Sequence, residues 1–138
     1  MTRVLYVGRQ PETMDLTDPA LPPDTTAEKI HARITLAMKE MAERGWSVDL
    51  CLIQPDETAG REVERSISAQ PYDCVMIAAG IRRSPLLIFE AVINAVHSAA
   101  PGAVIAFNAH PADSAAAVAR RLALASADGS YGGGTRVS

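Results

Sequence analysis

The chain has 138 residues, 48% hydrophobic, 21% charged and 4% aromatic, with 13 basic against 16 acidic side chains and a formal net charge of −3. That length fits one domain burying roughly two thirds of its unfolded surface. The acidic balance and scarce aromatics exclude a chain whose main partner is a nucleic-acid backbone or a stacked single strand.

In chain order, "MTRVLYVG" enters a strand, Val4 to Gly8, without the charged-then-apolar layout of a signal peptide, and no run approaches the roughly 18 apolar residues of a membrane span. A cytoplasmic protein with no membrane partner is expected. A loop from Arg9 to Asp24 follows, restrained by Pro11, Pro19, Pro22 and Pro23 and charged by Glu12, Asp15, Asp18 and Asp24. Such connections usually need about two to six residues, so this one is either a functional lid, an interaction segment, or a surface loop packed on its own Leu16 and Leu21. The first helix is predicted from Thr26 to Arg44, with Ala27, Ile30, Ile34, Ala37, Met38 and Met41 on one face, Thr25 and Glu28 as a capping box, and Gly45 as terminator.

"SVDLCLI", Ser47 to Ile53, is the second strand. The second helix, about Glu57 to Gln70, carries a narrow stripe of Val63 and Ile67 behind Asp56 as cap. The third strand is Asp73 to Gly80, and the third helix runs from Ser84 to about Ala99. Ala103 to Phe107 is the fourth strand, and a fourth helix begins at Pro111 and fades near Ala125. Cys51 and Cys74 sit inside strand runs without CxxC or Cys/His spacing, so both read as core thiols, with neither disulfide framework nor metal site. Residues 1–127 are expected to form a single domain and 128–138, glycine-rich and polar, a flexible tail.

Four alternations of strand and helix predict a doubly wound α/β fold, with a four-stranded parallel sheet between two helical layers. Placing the least uniformly apolar strands at the edges gives the flavodoxin-like order 2-1-3-4. Taken over nearly the whole chain, "VLYVG", "DPALPP", "TAEKIHARI", "PYDCVMIAAGI" and "LLIFEAVINAVHSAAPGAVIAFN" resemble a group of small bacterial α/β proteins; the resemblance implies a bacterial origin and supplies no mechanism. More distantly, the layout is similar to flavodoxins and response-regulator receiver domains. The functional residues of both are missing. "GRQPET" replaces a Ser/Thr/Gly-rich flavin loop, Arg9 and Gln10 replace the receiver's acidic pair, and Ala79 and Gly80 stand where its phosphoacceptor would be.

In an open parallel sheet, ligands bind outside the carboxyl ends of the strands where their order reverses, here between strands 1 and 3. The stretch "AAGIRRSPL" falls there. Gly80 permits close backbone approach, Arg82 and Arg83 offer planar forks of donors, and a helix start capped by Ser84 supplies positive partial charge. With Gly8 and Arg9 from strand 1 and Asn108 and His110 from strand 4, these residues form a candidate site for a small anionic ligand, phosphate- or nucleotide-like. Solvated arginines, or arginines paired with the long loop's carboxylates, are the structural alternative. His110 with Asp113, or His31 with loop carboxylates, would serve an enzyme instead. His110 or Asn108 as a plain helix cap, and His31 as a packing residue, stand against that. No catalytic or cofactor signature and no metal-ligand spacing is present. The third helix carries more apolar surface than one sheet face requires, with Leu87, Ala91 and Ala95 widening the arc. A homodimer or larger assembly through that helix is therefore expected, and a protein-interaction module without a ligand is the remaining function class.

Overall fold

The computed structural model of the chain describes residues 1–127; the tail expected at 128–138 lies outside the described residues. In chain order it contains β1 (Arg3–Arg9), α1 (Ala27–Glu43), β2 (Ser47–Ile53), α2 (Ala59–Ser68), β3 (Cys74–Ile77), a short α3 (Ala79–Arg82), α4 (Leu86–Ala99), β4 (Val104–Phe107) and α5 (Ser114–Ala127). One-turn 3-10 segments lie at Pro11–Thr13 and Pro111–Asp113. The strands form one parallel sheet in the order β2-β1-β3-β4, with Val7 opposite both Cys51 and Ile77, and Ile77 opposite Phe107. Every β3 residue is buried, as are five of the seven in β1, whereas β2 and β4 at the edges are mixed.

Alternation along the strands builds a core on each face. Val4, Tyr6, Cys74, Met76 and Ala106 pack under α1 and α5. Leu5, Val7, Cys51, Ile53, Val75 and Ile77 pack under α2 and α4. This is a flavodoxin-like three-layer α/β/α arrangement. Burial pushes the Cys74 thiol up to about 12 and raises Cys51 as well, which suits inert core thiols. Among the described residues no helix is long and apolar enough to cross a membrane.

Several local expectations change. Thr26, not Thr25, caps α1, accepting from the Lys29 N–H at 3.2 Å; Thr25 instead donates to the Pro22 carbonyl. Gly45 does end that helix, at φ +89°. The predicted third helix is two pieces. Ile77 ends β3, the chain makes the turn Ala79–Arg82, and Pro85, held at φ −50° and ψ 144°, caps α4 in place of Ser84. On α4, Val92, Ala95 and Val96 are buried. Ala95 therefore belongs to the core, because α2 comes close: a Cβ at Gly60 would stand 3.4 Å from the Ala91 carbonyl oxygen. The exposed apolar surface of the helix is concentrated at Leu86 and Leu87, each 74% exposed.

Candidate functional site

A cleft of about 380 Å³ opens at the carboxyl ends of β1 and β3 and runs along α1. Gly8 and Arg9 at the end of β1 meet Ala78, Ala79 and Gly80 after β3, with Asn108, His110, Pro111 and Ala112 after β4 on the far side. Met14, Leu21 and Pro22 of the long loop cover it, and Ile30, Arg33, Ile34, Leu36 and Glu40 of α1 form the long wall. Gly80 lets the loop approach: a Cβ there would lie 3.4 Å from the Arg9 Cβ and 3.7 Å from Met14. Gly8 is tighter, since its Cβ would meet Leu52 at 3.1 Å and the Tyr6 ring at 3.3 Å.

The cleft floor is a closed polar network. The Asn108 side-chain carbonyl accepts from the Ala79 N–H at 2.8 Å, and its amide donates to Ser114 Oγ at 3.0 Å. Tyr6, Asn108 and Ser114 are all buried, with Asn108 and Ser114 bonded to each other and both close enough to act on the Tyr6 hydroxyl. Burial pushes the Tyr6 phenol above its ordinary range, with the bonds from Asn108 and Ser114 opposing, so at neutral pH it is a neutral hydroxyl. Asn108 thus pins the turn after β3 to the start of α5 through both ends of its side-chain amide.

The two adjacent arginines part company. Arg82 donates to the carbonyls of Asn108 and Ile77 and stacks over Phe107, 5.7 Å from the ring centroid. It lines a separate shallow hollow with Phe89, Asp113 and Arg120. Burial lowers its pKa, Arg83 lowers it further and Asp113 opposes, yet a guanidinium remains charged. Arg83 lines the main cleft. Arg9 is positioned beside it: Nε donates to Thr13 Oγ1 at 3.0 Å, Nη2 to the Thr13 carbonyl, and Nη1 to Ser84 Oγ at 3.3 Å. Ser84 in turn donates to the Gly80 carbonyl at 2.9 Å, so it braces the turn rather than capping a helix at the cleft.

The loop carboxylates are engaged elsewhere. Glu12 pairs with His31 at 2.8 Å on the surface, Asp15 accepts from Thr17, and Asp18 accepts from the Ala20 N–H. Among the described residues, neither Arg9, Arg33 nor Arg83 lies within 4.0 Å of a carboxylate oxygen. His110 lines the cleft, while Asp113 spends its carboxylate on the backbone N–H groups of Ala109 and His110. The expected Asp113–imidazole orientation is therefore replaced by a backbone cap. Among the described residues, no group of three or more His, Cys, Asp or Glu is placed to hold a metal ion. Tyr6, Arg33 and Ser114 were not singled out by sequence: Tyr6 follows the strand alternation of a core residue, Arg33 the charged side of α1, and Ser114 carries no motif. No protein-family model matches the chain, and no curated protein matches it either.

Proposed function

We propose that the chain is a non-catalytic module that binds a small anionic ligand at the carboxyl edge of its sheet, with the anion held by Arg9 and Arg83 beside Gly80. One observation carries this: three arginines line a single cleft and, among the described residues, none has a carboxylate oxygen within 4.0 Å, the nearest influence being Asp15, whose carboxyl feels the charge of Arg9. Arg83 and Arg33 are exposed and Arg9 is half-buried, so their charge is open to an incoming anion, and guanidinium matches carboxylate or phosphate oxygens bidentately. Binding is favoured over catalysis because His110 has lost Asp113 to the backbone, and the His31–Glu12 pair lies outside the cleft lining.

Thermal unfolding in millimolar sulfate, phosphate and acetate tests the proposal. Native-state binding raises the midpoint with ligand concentration, and Arg83→Ala abolishes the rise while leaving the anion-free midpoint unchanged. Identical responses of wild type and Arg83→Ala to every anion would contradict it. We also propose that Leu86 and Leu87 touch a second copy of the chain. Sedimentation equilibrium decides, and a strict monomer at micromolar concentration overturns it.

A further inference from the structure

We infer that the ligand is an amphiphile, an apolar chain or ring carrying one oxyanion head, rather than a free inorganic anion or a nucleotide. This inference rests on the anion site proposed above and names its ligand class. The cleft is polarised along its length. Arg9 and Arg83 stand at the sheet end, while Glu40 sits at the other end of the α1 wall. From Ile30 to Glu40 the helix rises about 15 Å, so the cleft is elongated, with room for a body beyond the head. Its size lies in the roughly 300–1,000 Å³ range of small-molecule sites.

Between those ends the lining is mostly apolar, with Met14, Leu21 and Pro22 from the loop, Ile30, Ile34 and Leu36 from α1, and Ala112 opposite, and the exposed Arg33 stands on the same stretch of α1. The polar groups of the floor are already bonded to one another, so they offer little to a ribose or a base. A nucleoside would bury hydroxyls and ring nitrogens without partners, at about 1–3 kcal/mol for each unsatisfied group. No Phe, Tyr or Trp face is open to a base: Tyr6 is the sole such ring in the lining and is 1% exposed, which leaves the His110 imidazole alone. A hydrocarbon body meets none of these costs and gains from every methylene it removes from water. Glu40 at the far end repels a head that enters the wrong way round and fixes the orientation.

Isothermal titration calorimetry on the purified full chain, with octanoate, octyl phosphate, octylamine, inorganic phosphate and AMP, tests the inference. Octanoate and octyl phosphate are expected to bind at one site at least tenfold more tightly than inorganic phosphate or AMP, with octylamine giving no saturable heat. The tighter of the two octyl anions identifies the head as carboxylate or phosphate. Arg83→Ala should weaken both at least tenfold. Leu21→Gln, on a half-buried loop position, should weaken octanoate severalfold and leave inorganic phosphate unchanged, and circular dichroism checks that each variant is folded. If phosphate or AMP matches octanoate and still depends on Arg83, the anion site stands and the apolar body is wrong. If octylamine matches octanoate, or Arg83→Ala changes nothing, both are wrong.

Discussion

The two ends of the parallel sheet treat polar groups in opposite ways. At the amino end, Arg3 donates to Gln70, Gln70 and Tyr72 both donate to Asp49, and the Arg3 N–H donates to the Asp73 carboxylate at 2.8 Å. That cluster satisfies itself. At the carboxyl end Asn108 and Ser114 are likewise bonded to each other, but three arginines gather around one cleft, where Arg9 gives donors to Thr13 and Ser84. Among the described residues no carboxylate oxygen lies within 4.0 Å of Arg9, Arg33 or Arg83, as none does of the Arg3 guanidinium at the other end, so the difference lies in the number of cations and the open cleft beside them. A network of donors and acceptors stabilises a fold, whereas several cations gathered beside a cleft are capacity left for a ligand. On the proposed reading, one sheet carries a structural end and a ligand-binding end.

Substitutions sharpen that contrast, beginning with the largest effect. Asn108→Ala leaves the Ala79 N–H and Ser114 Oγ without their partner in a buried site, and should cost about 2–3 kcal/mol in urea unfolding. A cost below about 0.5 kcal/mol would mean that the floor is not the pin it appears in the hydrogen-bond pattern. Next, Arg82→Ala removes donors to two backbone carbonyls and a stacking contact, for about 1–2 kcal/mol of stability with anion affinity retained. Loss of anion binding with stability intact would reverse the roles assigned to Arg82 and Arg83. At the amino end, Tyr72→Phe deletes the bond donated to Asp49 and the one accepted from Gln70, and should cost about 1 kcal/mol with no change in any ligand response.

The smallest effect is a pH dependence in the loop. The Glu12 carboxyl is held below its ordinary value of 4.5 by its own backbone N–H and by His31. A depressed carboxylate adds stability above its unfolded pKa and loses it as pH falls through the lower folded value. Wild type should therefore exceed Glu12→Gln slightly in stability at neutral pH, and the gap should close below about pH 4. A gap that persists or widens in acid would show that Glu12 acts through something other than its charge.

Much of this was legible in the sequence. Period-two apolar runs alternating with helical ones fixed the layers, and the mixed character of "SVDLCLI" and "AVIAF" against "VLYVG" and "CVMI" placed the edges. The long loop and the Gly80 turn were visible at the switch point. Hidden was the opposite fate of Arg82 and Arg83. Adjacent residues on a continuous helix would diverge by about 100°, but here a four-residue turn stopped by Pro85 sends one toward Phe107 and the other toward α1. Ala95 was misplaced for a similar reason. A glycine at position 60 carries no side-chain signal, yet its missing Cβ brings α2 onto α4. Both misses concern contacts between elements, which one-dimensional periodicity does not encode.

Backbone amide chemical shifts of the 15N-labelled chain during titration with octanoate test the central claim most directly, because both ends of the sheet report at once. Saturable shifts confined to Gly8, Arg9, Ala79, Gly80, Arg83 and His110, with Arg3, Asp49, Gln70 and Tyr72 unmoved, are predicted. Shifts concentrated at the amino end, or a titration that moves no amide around Gly80, would contradict it.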